Sequence, residues 1–148
     1  MRWQNFIAVI VLAFAISASA ESAKVIKVLP QFLDLKGRSS ISPSLYDRDA
    51  YQEHLRVGHT NRTALQFNVQ WKAHGHDALT LRVEAKGMKG KEPSSKVLEQ
   101  TVKPGVFSKW TGITIAGTNY ENFGELVSWR ASLLDGTNVV AEQKSFLW

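Results

Sequence analysis

The residue pattern predicts an all-β chain: a two-sheet antiparallel sandwich of about seven strands with one short helix near residues 45–55. Three observations carry that expectation. Apolar residues recur at every second position in several separate runs, the period of a strand with one dry face. Turn-forming residues divide those runs at short intervals, as in an all-β sandwich and not in alternating strand–helix units. The chain also contains no cysteine. A chain without disulfides must be held by apolar burial, which requires two layers packed on each other.

The first twenty residues read as a cleavable export signal. Arg2 precedes an uninterrupted apolar run from Phe6 to Ile16, and Ser17-Ala18-Ser19-Ala20 gives the small-x-small ending. The run is too short to span a bilayer, so cleavage after Ala20 is expected, leaving one domain over 21–148. With no cysteine to carry a lipid, a lipoprotein is excluded. The formal charge of +5 falls by one with Arg2. That is mildly basic and permits attraction to anionic surfaces without demanding it. No recognition helix or basic-aromatic stacking motif is present, so nucleic acid is not an expected partner.

Residues 24–36 open as a β-branched strand in which Pro30 removes a ladder donor, so this strand lies at an edge or breaks there. Residues 37–43 form a Gly, Ser and Pro loop. Ser44 can cap a short helix through Leu55, with Asp47 and Asp49 near its positive end and Ala50, Tyr51, His54 and Leu55 on one face. In 63–73, Leu65, Phe67, Val69 and Trp71 point one way and Gln66, Asn68, Gln70 and Lys72 the other. After a turn at 74–77, Leu79, Leu81, Val83 and Ala85 continue the alternation. Residues 87–95 read as a mobile polar loop and 97–102 as a short strand ended by Lys103-Pro104-Gly105. Ile113 and Ile115 share a face of the strand 110–116, and 117–123 is read as a loop. Val127, Trp129, Ala131 and Leu133 then alternate with Ser128, Arg130 and Ser132. A hairpin loop at Asp135-Gly136-Thr137 would set Leu133 against Val139 and Ala131 against Ala141, in a last strand running from Val139 to Trp148.

This order of elements resembles an immunoglobulin or fibronectin type III sandwich. The strand, Thr-Asn-Tyr connection and strand over 110–134 are similar to the penultimate pair of such modules, with Tyr120 in the place of their corner tyrosine. The cysteine pair of immunoglobulin domains is absent. The segments Leu29-Pro30-Gln31-Phe32-Leu33-Asp34-Leu35, Ser42-Pro43-Ser44-Leu45-Tyr46 and Gln143-Lys144-Ser145-Phe146-Leu147-Trp148 resemble those of small exported bacterial β-sandwich proteins. That resemblance brings no activity with it.

A small outer-membrane barrel also shows in/out alternation. It asks for an even number of strands of roughly nine to eleven residues each, against which stand seven runs, a short 97–102 and four consecutive polar residues at 142–145.

Little in the chain carries chemistry. His74-x-His76 beside Asp77 has the spacing of two imidazole ligands on extended backbone, but a metal site would need His54 or His59 from elsewhere, and a polar turn with a flexible Gly is the better reading, so no metal is expected. Asp47, Asp49 and Glu53 fit helix-terminus charges better than an acid/base pair. Ser39, Ser40, Ser42 and Ser44 stand in no nucleophile motif, and no phosphate-binding loop or dinucleotide fingerprint exists. No cofactor and no enzymatic activity are expected. Lys86, Lys89, Lys91 and Lys96 flank the Gly-rich loop. Trp71 and Trp129 belong to the core faces, whereas Trp110, Tyr120 and Trp148 lie at strand ends. Asn61-Arg62-Thr63 is a glycosylation sequon, without meaning in most bacteria.

The function this implies is an exported, non-catalytic interaction or structural module of the bacterial cell envelope, periplasmic or secreted. Its contacts would run through a sheet edge or the loops at one end of the sandwich, and its partner would be another envelope or extracellular protein. The alternative is carbohydrate or anionic-lipid binding, with Lys89, Lys91, Trp110 and Tyr120 as the binding residues. A third reading is a hydrolase assembled from distant residues around His54 or His59.

Overall fold

In the computed structural model the described residues are 22–148. The expected export signal and its expected cleavage point lie outside them. The alternation of the central strand sets the architecture: in β2 (Arg62–His74) Leu65, Phe67, Val69 and Trp71 are each at most 1% exposed. β2 pairs antiparallel with β1 (Ser22–Asp34) and with β5 (Lys109–Ala116) in a three-stranded sheet. The second sheet has the order β4 (Glu92–Val102), β3 (Leu79–Lys89), β6 (Glu125–Asp135), β7 (Asn138–Lys144), again antiparallel throughout. Leu81 and Val83 of β3, Ile113 and Ile115 of β5 and Ala131 and Leu133 of β6 meet the β2 side chains between the sheets, and Trp129 packs against this core while partly exposed. Seven strands in a two-sheet sandwich are as expected. Neither sheet closes on itself, which sets the barrel aside.

β1 is an edge strand and runs straight through Pro30, opposite Phe67, to Asp34. Only its pairing with β2 needs ladder hydrogen bonds, so a missing donor is tolerated. Helix α1 (Leu45–Val57) follows and packs beside β1. Its buried residue is Leu55, whereas Ala50 and His54 are exposed. Ser44 occupies the cap position but its side chain makes no capping bond. Ser42 does related work instead: its Oγ accepts from Ser44 N at 3.3 Å and donates to Asp47 Oδ2 at 2.8 Å.

Residues 87–95 are no mobile loop: β3 and β4 form a long hairpin turning at Gly90-Lys91, with Gly90 at φ 63°. Gly87 is small for packing, since a Cβ there would stand 2.7 Å from Phe123 O and 2.8 Å from Phe123 Cζ. Pro93 is tolerated because β4 is an edge. The strand expected at 97–102 is therefore eleven residues long, so its shortness was no argument against a barrel.

Residues 117–123 are a helix, α2 (Gly117–Phe123), which drives the fully buried Phe123 into one end of the sandwich.

On β6 a register shift opposite Lys86/Gly87 leaves Val127 bulged outward and 44% exposed, and Leu126 packs against the core in its stead.

The β6–β7 turn is Gly136-Thr137, with Asp135 facing Asn138, Leu134 facing Val139, Leu133 facing Ala141 and Ala131 facing Gln143. A bulge at Val140 on β7 produces that register. The last strand stops at Lys144. Ser145 turns the chain back onto Trp129 through Ser145 N to Trp129 O at 2.9 Å and Trp129 N to Ser145 Oγ at 3.0 Å.

Candidate functional site

The outer face of the three-stranded sheet is built by register. A shift in β1 between Val25 and Lys27 turns Val28 inward and leaves Lys27, Leu29 and Gln31 facing out. Cross-strand pairing then forms three rows: Lys27, Gln70 and Trp110; Leu29, Asn68 and Gly112; Gln31, Gln66 and Thr114. The grid spans roughly 13 Å along the strands and 10 Å across them. Asn68 Nδ2 donates to Gln31 Oε1 at 2.7 Å, Gln66 Nε2 to Thr114 Oγ1 at 3.3 Å, and Gln70 Nε2 to Ser108 Oγ at 3.3 Å. Each amide is thus held by one end, and Gln31, Gln66 and Asn68 line the groove. Trp110 is 52% exposed. Ser39, Leu45, Arg48 and Asp49 from the 35–44 loop and α1 raise a wall along the β1 side, and the resulting cleft has a volume of about 770 Å³.

The wall is fixed by two knots. Asp34, 5% exposed, accepts from Lys36 N at 2.8 Å, Arg38 N at 2.9 Å, Arg38 Nε at 3.0 Å and Tyr51 Oη at 2.7 Å, and pairs with Arg38 Nη2 at 2.9 Å. The Tyr51 hydroxyl, followed by the Arg38 backbone N–H, holds the Asp34 carboxyl far below the usual carboxylate range. The same contact to Asp34 pushes the Tyr51 phenol up. The second knot is Gln52, whose Nε2 donates to Phe32 O at 2.9 Å and Ser39 O at 2.7 Å.

The four residues expected to bind are not brought together. Lys89 ends β3 and donates to Asn122 Oδ1 at 3.1 Å, and Lys91 stands exposed in the adjoining turn. Neighbouring Lys96 is likewise engaged, with Asn119 Oδ1 at 2.8 Å. Tyr120, on α2, is partly buried against the core, and that burial raises its pKa while nearby Arg62 pulls it back. Trp110 lies at the end of β5 remote from α2, on the other sheet. Trp148 is no free aromatic: Lys86 Nζ and Arg130 Cζ lie 4.0 and 4.8 Å from its ring centroid.

Residues with hydrolytic potential are not aligned. A depression of about 490 Å³ gathers Ser42, Asp47 and His54, but Ser42 donates directly to Asp47, and His54 stacks on Tyr51 with no bond to the serine. An activated nucleophile needs the base between the two. His59 Nδ1 faces Arg62 at 2.6 Å and Glu125 at 3.1 Å. His76 Nδ1 meets Asp135 Oδ2 at 2.9 Å, and no group of three or more metal-ligating side chains occurs among the described residues. The sequence carried one signal for the outer face: amides at 66, 68 and 70 all alternate outward. What it could not show is their alignment with Gln31 and Trp110, which depends on register.

The fold defines a two-sheet antiparallel β-sandwich domain. No family model and no curated protein matches the chain. Among solved structures it is similar to part of a β-glucosidase from Kluyveromyces marxianus, at 9% identity and a TM-score of 0.33 over 85% of this chain; the chain spans 14% of that protein.

Proposed function

We propose that this chain is an exported, non-catalytic recognition module of the bacterial cell envelope, periplasmic or secreted, and that it binds through the outer face of its three-stranded sheet. The observation that carries the reading is the walled cleft in which Trp110 and a row of held amides share one surface. Polar groups fixed in advance lose little freedom on binding, and an exposed tryptophan supplies the contact area that recognition sites use. Export rests on Arg2, the apolar run and the Ala18-x-Ala20 ending. Three strands on four, with β4 staying beside β3, supports the resemblance to fibronectin type III sandwiches.

The test is retention. Immobilised mature chain is expected to capture a component of solubilised envelope, and Trp110→Ala to lose it. Equal capture by the wild type and Trp110→Ala would remove this face from the account.

A further inference from the structure

We infer that the ligand of this face is a neutral polysaccharide chain, an assignment that rests on the recognition reading above and names its ligand class. Sugar hydroxyls are at once donors and acceptors, and their natural partners are groups with the same double character. Primary amides have it, and this face sets Gln31, Gln66, Asn68 and Gln70 in neighbouring rows of one grid. Their mutual bond uses Asn68 Nδ2 and Gln31 Oε1, and the bonds to Thr114 and Ser108 hydroxyls use Gln66 Nε2 and Gln70 Nε2. Asn68 Oδ1 and Gln31 Nε2 remain for a ligand, in orientations already set.

Gly112 is an independent sign. It sits in the interior of β5 opposite Asn68, between Trp110 and Thr114 on the outward side, where glycine weakens a strand and marks a close approach. A Cβ at this position would lie 3.0 Å from Gln66 Nε2 and 3.2 Å from Asn68 Oδ1. Glycine keeps the floor beside the indole low and the amides undisturbed. A sugar ring laid on Trp110 with its C–H face would have its hydroxyl edge directed at that row.

Charge argues against the other ligand classes. Lys27 and Arg48 are interrupted by Asp49 on the same rim, so no continuous positive stripe meets a polyanion. A protein partner would favour an apolar centre, and here the central position is the amide of Asn68, with Leu29 and Gly112 on either side of it in the middle row and Gln31 and Gln66 in the next. The surface suits a flat-faced, uncharged, hydroxyl-rich chain.

The experiment mixes mature wild-type chain with insoluble neutral polysaccharides of several linkages (cellulose, chitin, β-1,3-glucan, xylan, mannan) and with heparin as a polyanion control. Depletion from solution is measured, followed by tryptophan fluorescence titration with short soluble oligomers of whichever polysaccharide binds. The expected result is depletion by at least one neutral polysaccharide, little affected by salt. Affinity should fall about tenfold or more in Trp110→Ala and fall in Asn68→Ala and Gly112→Val, with Lys91→Ala unchanged and thermal unfolding of each variant confirming its fold. Three results would overturn the assignment. No neutral polysaccharide binds while envelope capture still depends on Trp110, which leaves the recognition reading standing with a protein ligand. Only heparin binds, and salt abolishes it. Or a neutral polysaccharide binds equally to Trp110→Ala, Asn68→Ala and Gly112→Val, which removes the face itself.

Discussion

The side-chain amide of Gln52 on α1 grips the backbone of Phe32 on β1 from both sides: its Oε1 accepts from Phe32 N at 2.8 Å and its Nε2 donates to Phe32 O at 2.9 Å. Phe32 lies on the outer edge of the three-stranded sheet, where no further strand pairs with β1. One residue of a helix therefore does locally what a neighbouring strand would do, and it blunts an edge open to mispairing. The wall of the cleft is tied to its floor by the same contact.

Gln52→Ala should cost about 1–3 kcal/mol, because two backbone groups and Ser39 O lose a partner at a partly buried site. Gln52→Glu should not rescue it, since a carboxylate retains the acceptor but turns no donor toward Phe32 O and Ser39 O. Urea unfolding midpoints of the three proteins check the order, and hydrogen exchange at Phe32 N locates the loss.

Asp34 gives the chain an acid-sensitive joint. Its pKa is depressed in the folded state, so its contribution to stability is fully present above the ordinary value of 3.8 and is lost as pH falls toward the folded value. Wild-type unfolding midpoints should therefore drop steeply below about pH 4. Asp34→Asn should be less stable than wild type at neutral pH, because Arg38 and Tyr51 lose their carboxylate partner, and its acid limb should be flatter. Parallel acid limbs in the two proteins would show that Asp34 is not the group responsible.

The strand faces were legible and the connections were not, for physical reasons visible at single residues. Leu65, Phe67, Val69 and Trp71 declare a dry face because burial imposes period two on the sequence. Gly87 and Pro93 read as punctuation, but Gly87 is there to let Phe123 in and Pro93 sits on an edge. Bulges leave no compositional mark, so the sequence pattern puts Val127 on the wrong side and Val139 opposite the wrong partner. The same limit governs the cleft. Gln66, Asn68 and Gln70 show as an outward row, whereas their meeting with Gln31, Gly112 and Trp110 is a matter of how three strands slide into register.

Gly87 and Phe123 should behave as a coupled pair. Phe123→Ala removes a fully buried ring and should cost about 3–5 kcal/mol. Gly87→Ala should cost about 1–3 kcal/mol through overpacking against that ring, the Phe123 carbonyl and Ser94 Oγ. Combined, the two should cost less than their sum, since removing the ring relieves one of the clashes. A double-mutant cycle in urea measures the difference, and strict additivity would mean that the Phe123 carbonyl and Ser94 Oγ, and not the ring, set the cost.

Arg62 and Glu125 should prove unequal in value. The Arg62 side chain is 4% exposed, is paired with Glu125, lies 4.2 Å above the Phe32 ring and leaves its Nη1 buried without a partner. Glu125 is half exposed. Breaking such a pair from the acidic side leaves a buried cation, while replacing the cation with an apolar chain removes the burden. Glu125→Ala should therefore cost about 2–3 kcal/mol, below the fully buried range because water and His59 reach the site. Arg62→Met should stay within about 1 kcal/mol of wild type, since methionine fills the stem's space over Phe32 and carries no orphaned donor. If thermal melts place Arg62→Met below Glu125→Ala, the guanidinium contributes net stability through Phe32 and Tyr120, and desolvation is the smaller effect.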